Sequence, residues 1–145
     1  MEFSMFLHSM HPIHHPPLST QHPFSLSTVS AGFPSPAEEY LENIDLKEWL
    51  IQRPNSTFLI RVQGHSMQDM GIFSDDVLIV DRAPTAHHGS VIIAIFHGEF
   101  LVKQLIHRQN DVILRAANPN YPDIIINDGD PFEVWGVVCY CIHPL

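Results

Sequence analysis

Val62-Gln63-Gly64-His65-Ser66-Met67-Gln68-Asp69 sets a serine in a sharp turn just after an apolar run. Phe58 to Val62, which leads into it, has the β-branched and aromatic texture of a strand. Similar short runs follow at Val77 to Val80, Val91 to Phe96, Phe100 to Ile106, Val112 to Leu114, Ile124 to Ile126 and Val134 to Ile142, with turn residues between them. His97-Gly98-Glu99 lies between two of these runs and closes a hairpin. With no internal repeat and no helix long enough for a bundle, the fold class is mainly β: a single domain of short strands and hairpins with an extended N-terminal arm.

The arm is set apart by composition. In residues 1–37 Glu2 is the only charged residue, and prolines stand at 12, 16, 17, 23, 34 and 36. Prolines remove donors and bias their neighbours to extended conformations, so residues 1–37 are expected to be extended, partly disordered, and able to lie along another surface as a strand. His8, His11, His14, His15 and His22 do not make a metal site, because Pro12, Pro16 and Pro17 break the helix that would bring them together. Two short helical pieces are expected next, over Ala37 to Leu41 and Asp45 to Ile51, with Asp45 as an N-cap. Residues 38–145 then form the β-rich domain, since 145 residues suffice for one core with an appendage.

Seven basic against sixteen acidic residues give a formal charge of −9, which lacks the basic footprint of nucleic-acid binding and favours a protein partner. Cys139 and Cys141, two apart in a terminal strand, are expected to be buried reduced thiols. The N-terminus has no basic n-region, and no run is long enough to cross a membrane, so a soluble cytoplasmic protein is expected.

A serine hydroxyl becomes a nucleophile when a neighbouring base takes its proton. Lys103 alternates with Leu101 and Leu105 in a strand pattern, which offers it an apolar setting. To act as a base near neutrality its pKa must fall from ~10.4 to roughly 7–8, a cost of about 4 kcal/mol that burial supplies. Taken singly, a turn serine ordinarily caps the backbone and a strand lysine ordinarily reaches to water, so spacing leaves the pair open. His65 diverges from Ser66 along an extended chain and reads as a surface residue. The amides of Ser66 and Met67 are candidates for an oxyanion site, with Met67 equally suited to fill a core. Gly64-His65-Ser66-Met67 begins like a G-x-S-x-G nucleophile elbow, but Gln68 stands where the second glycine belongs. A small-residue pair, Ala31-Gly32, has the look of a scissile bond.

Gly64-His65-Ser66-Met67, Asp69-x-Gly71-Ile72, Val77-Leu78-Ile79-Val80-Asp81 and Gly98-Glu99-Phe100-x-Val102-Lys103 occur in that order, with Ala86-His87-His88-Gly89 before the hairpin and Ala31-Gly32-Phe33-Pro34-Ser35-Pro36-Ala37 ahead of them all. In these the sequence resembles the UmuD/LexA family of self-cleaving serine-lysine peptidases, over residues 28 to 140. The resemblance implies that Ser66 attacks the Ala31 carbonyl, that Lys103 is the general base, and that no cofactor takes part. It implies a homodimer of the SOS response, cut under stimulation by a recombinase filament on single-stranded DNA. The trimmed chain would then join the catalytic subunit of an error-prone translesion polymerase. Residues 1–31 contain no lysine or arginine and suit no DNA-binding head, which favours this mutagenesis branch over a LexA-like regulator. A non-catalytic polymerase-docking module is the alternative from another class. His65 stands where the family usually has an acidic residue, Asp75 where it has a glycine, and the arm before Ser27 has no counterpart.

Overall fold

A computed structural model describes residues 9–12, 24–26, 32 and 42–145, with side chains at 32 and from 44 onward. The chain divides into a small unit, His14–Gln52, and a large one, Met1–Ile13 with Arg53–Leu145. In the small unit β2 (Phe24–Leu26) pairs antiparallel with β3 (Glu42–Ile44). Helix α1 (Leu46–Leu50) follows, and the Asp45 carboxylate accepts hydrogen bonds from the amides of Lys47 and Glu48, as the sequence predicts. The helical piece expected over Ala37 to Leu41 lies outside the described residues.

The large unit is one antiparallel sheet. Its strands are β1 (Ser9–Pro12), β4 (Thr57–Arg61), β5 (Val77–Asp81), β6 (Val91–Phe96), β7 (Glu99–Arg108), β8 (Asp111–Arg115), β9 (Ile124–Ile126) and β10 (Phe132–Ile142), in the spatial order β1-β4-β5-β10-β6-β7-β8-β9. All seven runs read from the sequence as strands of the core are strands. The β6–β7 hairpin turns on two residues only, His97 at φ 47° and Gly98 at φ 77°, with Phe96 facing Glu99. Positive φ at both positions gives a turn whose twist matches that of the strands it joins.

β10 joins the two halves of the sheet. Phe132 to Val137 pair with β6, and Val137 to Ile142 pair with β5. Bulges between Val134 and Gly136 and between Val138 and Tyr140 accommodate the change of partner. A Cβ placed on Gly136 would stand 2.7 Å from Val80 Cγ1 and 3.3 Å from the Asp81 carbonyl oxygen, so this crossing is close enough to require glycine. Cys139 and Cys141 are free, as expected, but they are exposed where burial was expected. The reason is this switch: beyond Val137 the strand has β5 alone beside it.

Two apolar layers pack on opposite faces of β6 and β7. Ile93 and Val102 join Ile60, Val62, Met67, Ile72, Leu78 and Val80, whereas Ile92, Ala94, Leu101 and Leu105 join Leu114. Burial on both faces explains why Val91 to Phe96 reads as an unbroken apolar run rather than an alternating one. Among the described residues, no helix is long and apolar enough to cross a membrane.

Candidate active site

Ser66 stands in the connection between β4 and β5. Reciprocal backbone bonds clamp the two ends of that connection: the Val62 amide donates to the Asp76 carbonyl at 3.0 Å, and the Asp75 amide donates to the Val62 carbonyl at 2.7 Å. Gly64 takes φ 105° and donates its amide to Ser74 Oγ, which starts the turn. A single 3-10 turn, Gln68–Met70, then ends at left-handed Gly71. Met67 is fully buried in the core, and its carbonyl accepts from the amides of Met70 and Ile72. The turn is therefore anchored by a packed methionine, and Ser66 beside it is also fully buried.

Lys103 lies mid-strand on β7, opposite Ile92 and flanked on its own face by Leu101 and Leu105. It is 4% exposed. The apolar setting expected for it is present.

One loop touches both residues' surroundings. After β8 the chain runs through Ala117 to Tyr121, where the Asp69 amide donates to the Ala117 carbonyl at 2.8 Å and Asn118 Nδ2 donates to the His65 carbonyl at 2.8 Å. Asn118 is itself held by the loop: its side-chain oxygen accepts from the Asn120 amide and its carbonyl from the Tyr121 amide. The Tyr121 ring centroid is 5.6 Å from Lys103 Nζ. Asn118 and Tyr121 escaped the sequence reading. Their signal is the turn-forming run Asn118-Pro119-Asn120-Tyr121-Pro122 immediately past a strand, which reads as a plain loop until its neighbours are known.

His65 is exposed, with Nδ1 3.0 Å from Gln68 Nε2, in keeping with a surface role. Of the Ala31-Gly32 pair, Ala31 lies outside the described residues. Gly32 is exposed, and a Cβ built on it meets nothing within 4 Å, so packing in this conformation does not demand glycine there.

A buried carboxylate braces the segment that follows the serine turn. Asp76 accepts from the Phe73 amide at 2.7 Å and from Cys141 Sγ at 3.3 Å, and its other oxygen is 2.6 Å from His143 Nδ1. Burial works to raise its pKa, yet the bonds from Phe73, His143 and Cys141 outweigh it and hold the carboxyl below its ordinary value. Although Cys141 is exposed as a residue, its sulfur sits against the buried Asp76, and this local desolvation together with the carboxylate's bond and charge pushes the thiol up to about 12. Before Asp76 in the chain, Asp75 holds φ 73°, in the left-handed region that favours glycine. Among the described residues, no group of three histidine, cysteine or acidic side chains is arranged to hold a metal ion.

The family model described as Peptidase S24-like matches residues 23–139. The chain belongs to the Peptidase S24-like family. Among its relatives, protein MucA of Salmonella typhimurium is 42% identical over 127 residues, covering 85% of this chain and 86% of the relative. Protein SamA of the same species is 38% identical, covering 88% and 89%. The LexA repressor of Polaromonas naphthalenivorans is 33% identical over 75% of this chain but only 47% of the repressor. The Peptidase S24-like match spans the serine turn, β7 with Lys103, the loop after β8 and the Ala31-Gly32 pair.

Proposed function

We propose that this Peptidase S24-like protein is a serine peptidase that cuts its own chain between Ala31 and Gly32, with Ser66 as nucleophile and Lys103 as general base. The observation that carries the reading is the burial of Ser66 and Lys103 in a member of this family, with one loop, Ala117 to Tyr121, bonded to the carbonyl of His65 beside the serine and setting the Tyr121 ring by the lysine. Burial among apolar side chains penalises an ammonium relative to a neutral amine, which is what a lysine base requires. In the reaction Lys103 takes the Ser66 hydroxyl proton as Oγ bonds to the Ala31 carbonyl carbon. The amides of Ser66 and Met67 receive the oxyanion. Collapse breaks the bond to Gly32, whose leaving amine takes the proton from Lys103, and water then hydrolyses the Ala31 ester.

The biological reading follows the relatives. Identity of 42% to MucA against 33% to a LexA repressor favours the mutagenesis branch over a LexA-like regulator. In that reading residues 1–37 form the arm that is cut and 38–145 the peptidase and accessory domain. The protein is a homodimer, its cutting is stimulated by a recombinase filament on single-stranded DNA, and its trimmed form serves the catalytic subunit of an error-prone translesion polymerase in the SOS response. A cytoplasmic location accompanies that role.

Site-directed variants test the chemistry. Ser66→Ala and Lys103→Ala are expected to abolish self-cutting at alkaline pH, with Ser66→Ala keeping the circular-dichroism spectrum of the parent. Equal cutting in either variant would remove the assignment. Gly32→Glu is expected to block cutting because the segment must enter a narrow cleft as an added strand; an unchanged yield of fragment would place the bond elsewhere.

A further inference from the structure

The two ends of the large sheet are protected in different ways. At one end β9 has only three residues, flanked by Asp123, which is ion-paired with Arg115, and by Asp128 two residues beyond the strand. Short length and flanking charge are the usual means of keeping an edge from pairing with another chain. At the other end β4 has none of these along Thr57-Phe58-Leu59-Ile60: no charge, no proline and no bulge. Arg61 carries the strand's only charge, at its last position. Its outer edge is covered by β1, in the register Ser9↔Arg61, Met10↔Ile60, His11↔Leu59 and Pro12↔Phe58.

β1 lies wholly ahead of Ala31-Gly32 in the chain. While the chain is intact, the pairing is intramolecular and benefits from a high effective concentration. Once the bond is cut, the described pairs that hold the released piece are the four of β1 with β4 and the three of β2 with β3, and two ladders this short do not offset the entropy of association in a bimolecular complex. The row of amides and carbonyls on β4 is then open. The core beneath is already formed: Ile60 is fully buried, and Phe58 packs on Trp135 with ring centroids 5.2 Å apart.

We infer that β1 is a removable cover, and that cutting uncovers β4 as a docking edge for an extended segment of a partner protein, added antiparallel to Thr57–Arg61. This rests on the self-cutting reading for its trigger but not for the edge itself. The register of β1 states what the edge accepts: an uncharged extended segment whose residue opposite Ile60 falls on the core face. Backbone hydrogen bonds supply the attachment, and the position opposite Ile60 supplies selectivity.

Amide hydrogen exchange at Phe58 to Arg61 tests this in the full chain. Three forms are compared: uncut protein, uncut Met10→Pro/His11→Pro, and the self-cut product freed of its peptide. Successive amides point to opposite sides of a strand, so one of the two prolines removes a donor facing β4 whatever the ladder's phase. The edge amides are expected to exchange at least about tenfold faster in the proline variant and the cut product than in uncut protein. A synthetic peptide of residues 5–16 at millimolar concentration is expected to slow them again in those two forms only. Equal rates in all three forms, or no protection by the peptide, would overturn the inference. Protection of the freed edge that rises with protein concentration, without peptide, would overturn the partner assignment in favour of a second copy. Failure to self-cut would remove the trigger, while the proline variant would still report on the edge.

Discussion

Asn118 shows how much a single amide can do for the serine turn. Its Nδ2 holds the carbonyl of His65, the residue joined to Ser66, and its own carbonyl and side-chain oxygen are tied into the loop that carries Tyr121 toward Lys103. Asn118→Ala removes two side-chain hydrogen bonds, of which the one to His65 has a net worth of about 1 kcal/mol; as lost positioning in the transition state that bond corresponds to roughly fivefold slower cutting. Self-cutting rates at fixed pH, compared with a melting curve of the same variant, check this; an unchanged rate would mean the loop does not position Ser66. Asp76 is a second such residue, with a different signature. Its pKa is lowered from an ordinary 3.8, so its stabilising effect is fully present above that value and is lost as pH falls through the lower folded one. Asp76→Asn is expected to cost about 2 kcal/mol at neutral pH, the loss of charge-assisted bonds, and progressively less below pH ~4. Urea midpoints at pH 7 and pH 3 check it, and a difference independent of pH would contradict it.

Strand β10 is the element on which the sheet depends, because it alone pairs with both β5 and β6. Its change of partner falls at Val137, next to Gly136, where an added methyl meets Val80 and the Asp81 carbonyl. Gly136→Ala is expected to destabilise by about 1–3 kcal/mol through overpacking, read as a lower denaturant midpoint; a neutral result would mean the crossing has slack. This element also shows where sequence reading reached its limit. The existence and type of the strands were legible, since β-branched runs and a His97-Gly98 turn carry local signals. The bulges in β10, and hence the exposure of Cys139 and Cys141, were not, because they arise from which strands lie alongside rather than from the strand's own residues. The site divides in the same way. Ser66 and Lys103 were legible because motif and resemblance mark them, whereas Asn118 and Tyr121 gain meaning only from contacts across the fold.

At the scale of the whole molecule, a fixed sheet carries a buried serine turn and a buried lysine, and the chain ahead of Ala31-Gly32 supplies one of the sheet's outer strands. Cutting would thus alter the surface of the domain without altering its core, which links the proposed chemistry to a change in what the protein can bind. The most direct test of the central claim is the N-terminus of the fragment formed when purified full-length protein is incubated at alkaline pH, where neutral lysine is more populated. A fragment that begins at Gly32 and accumulates faster as pH rises is expected. No fragment, or a fragment beginning at another residue, would contradict it.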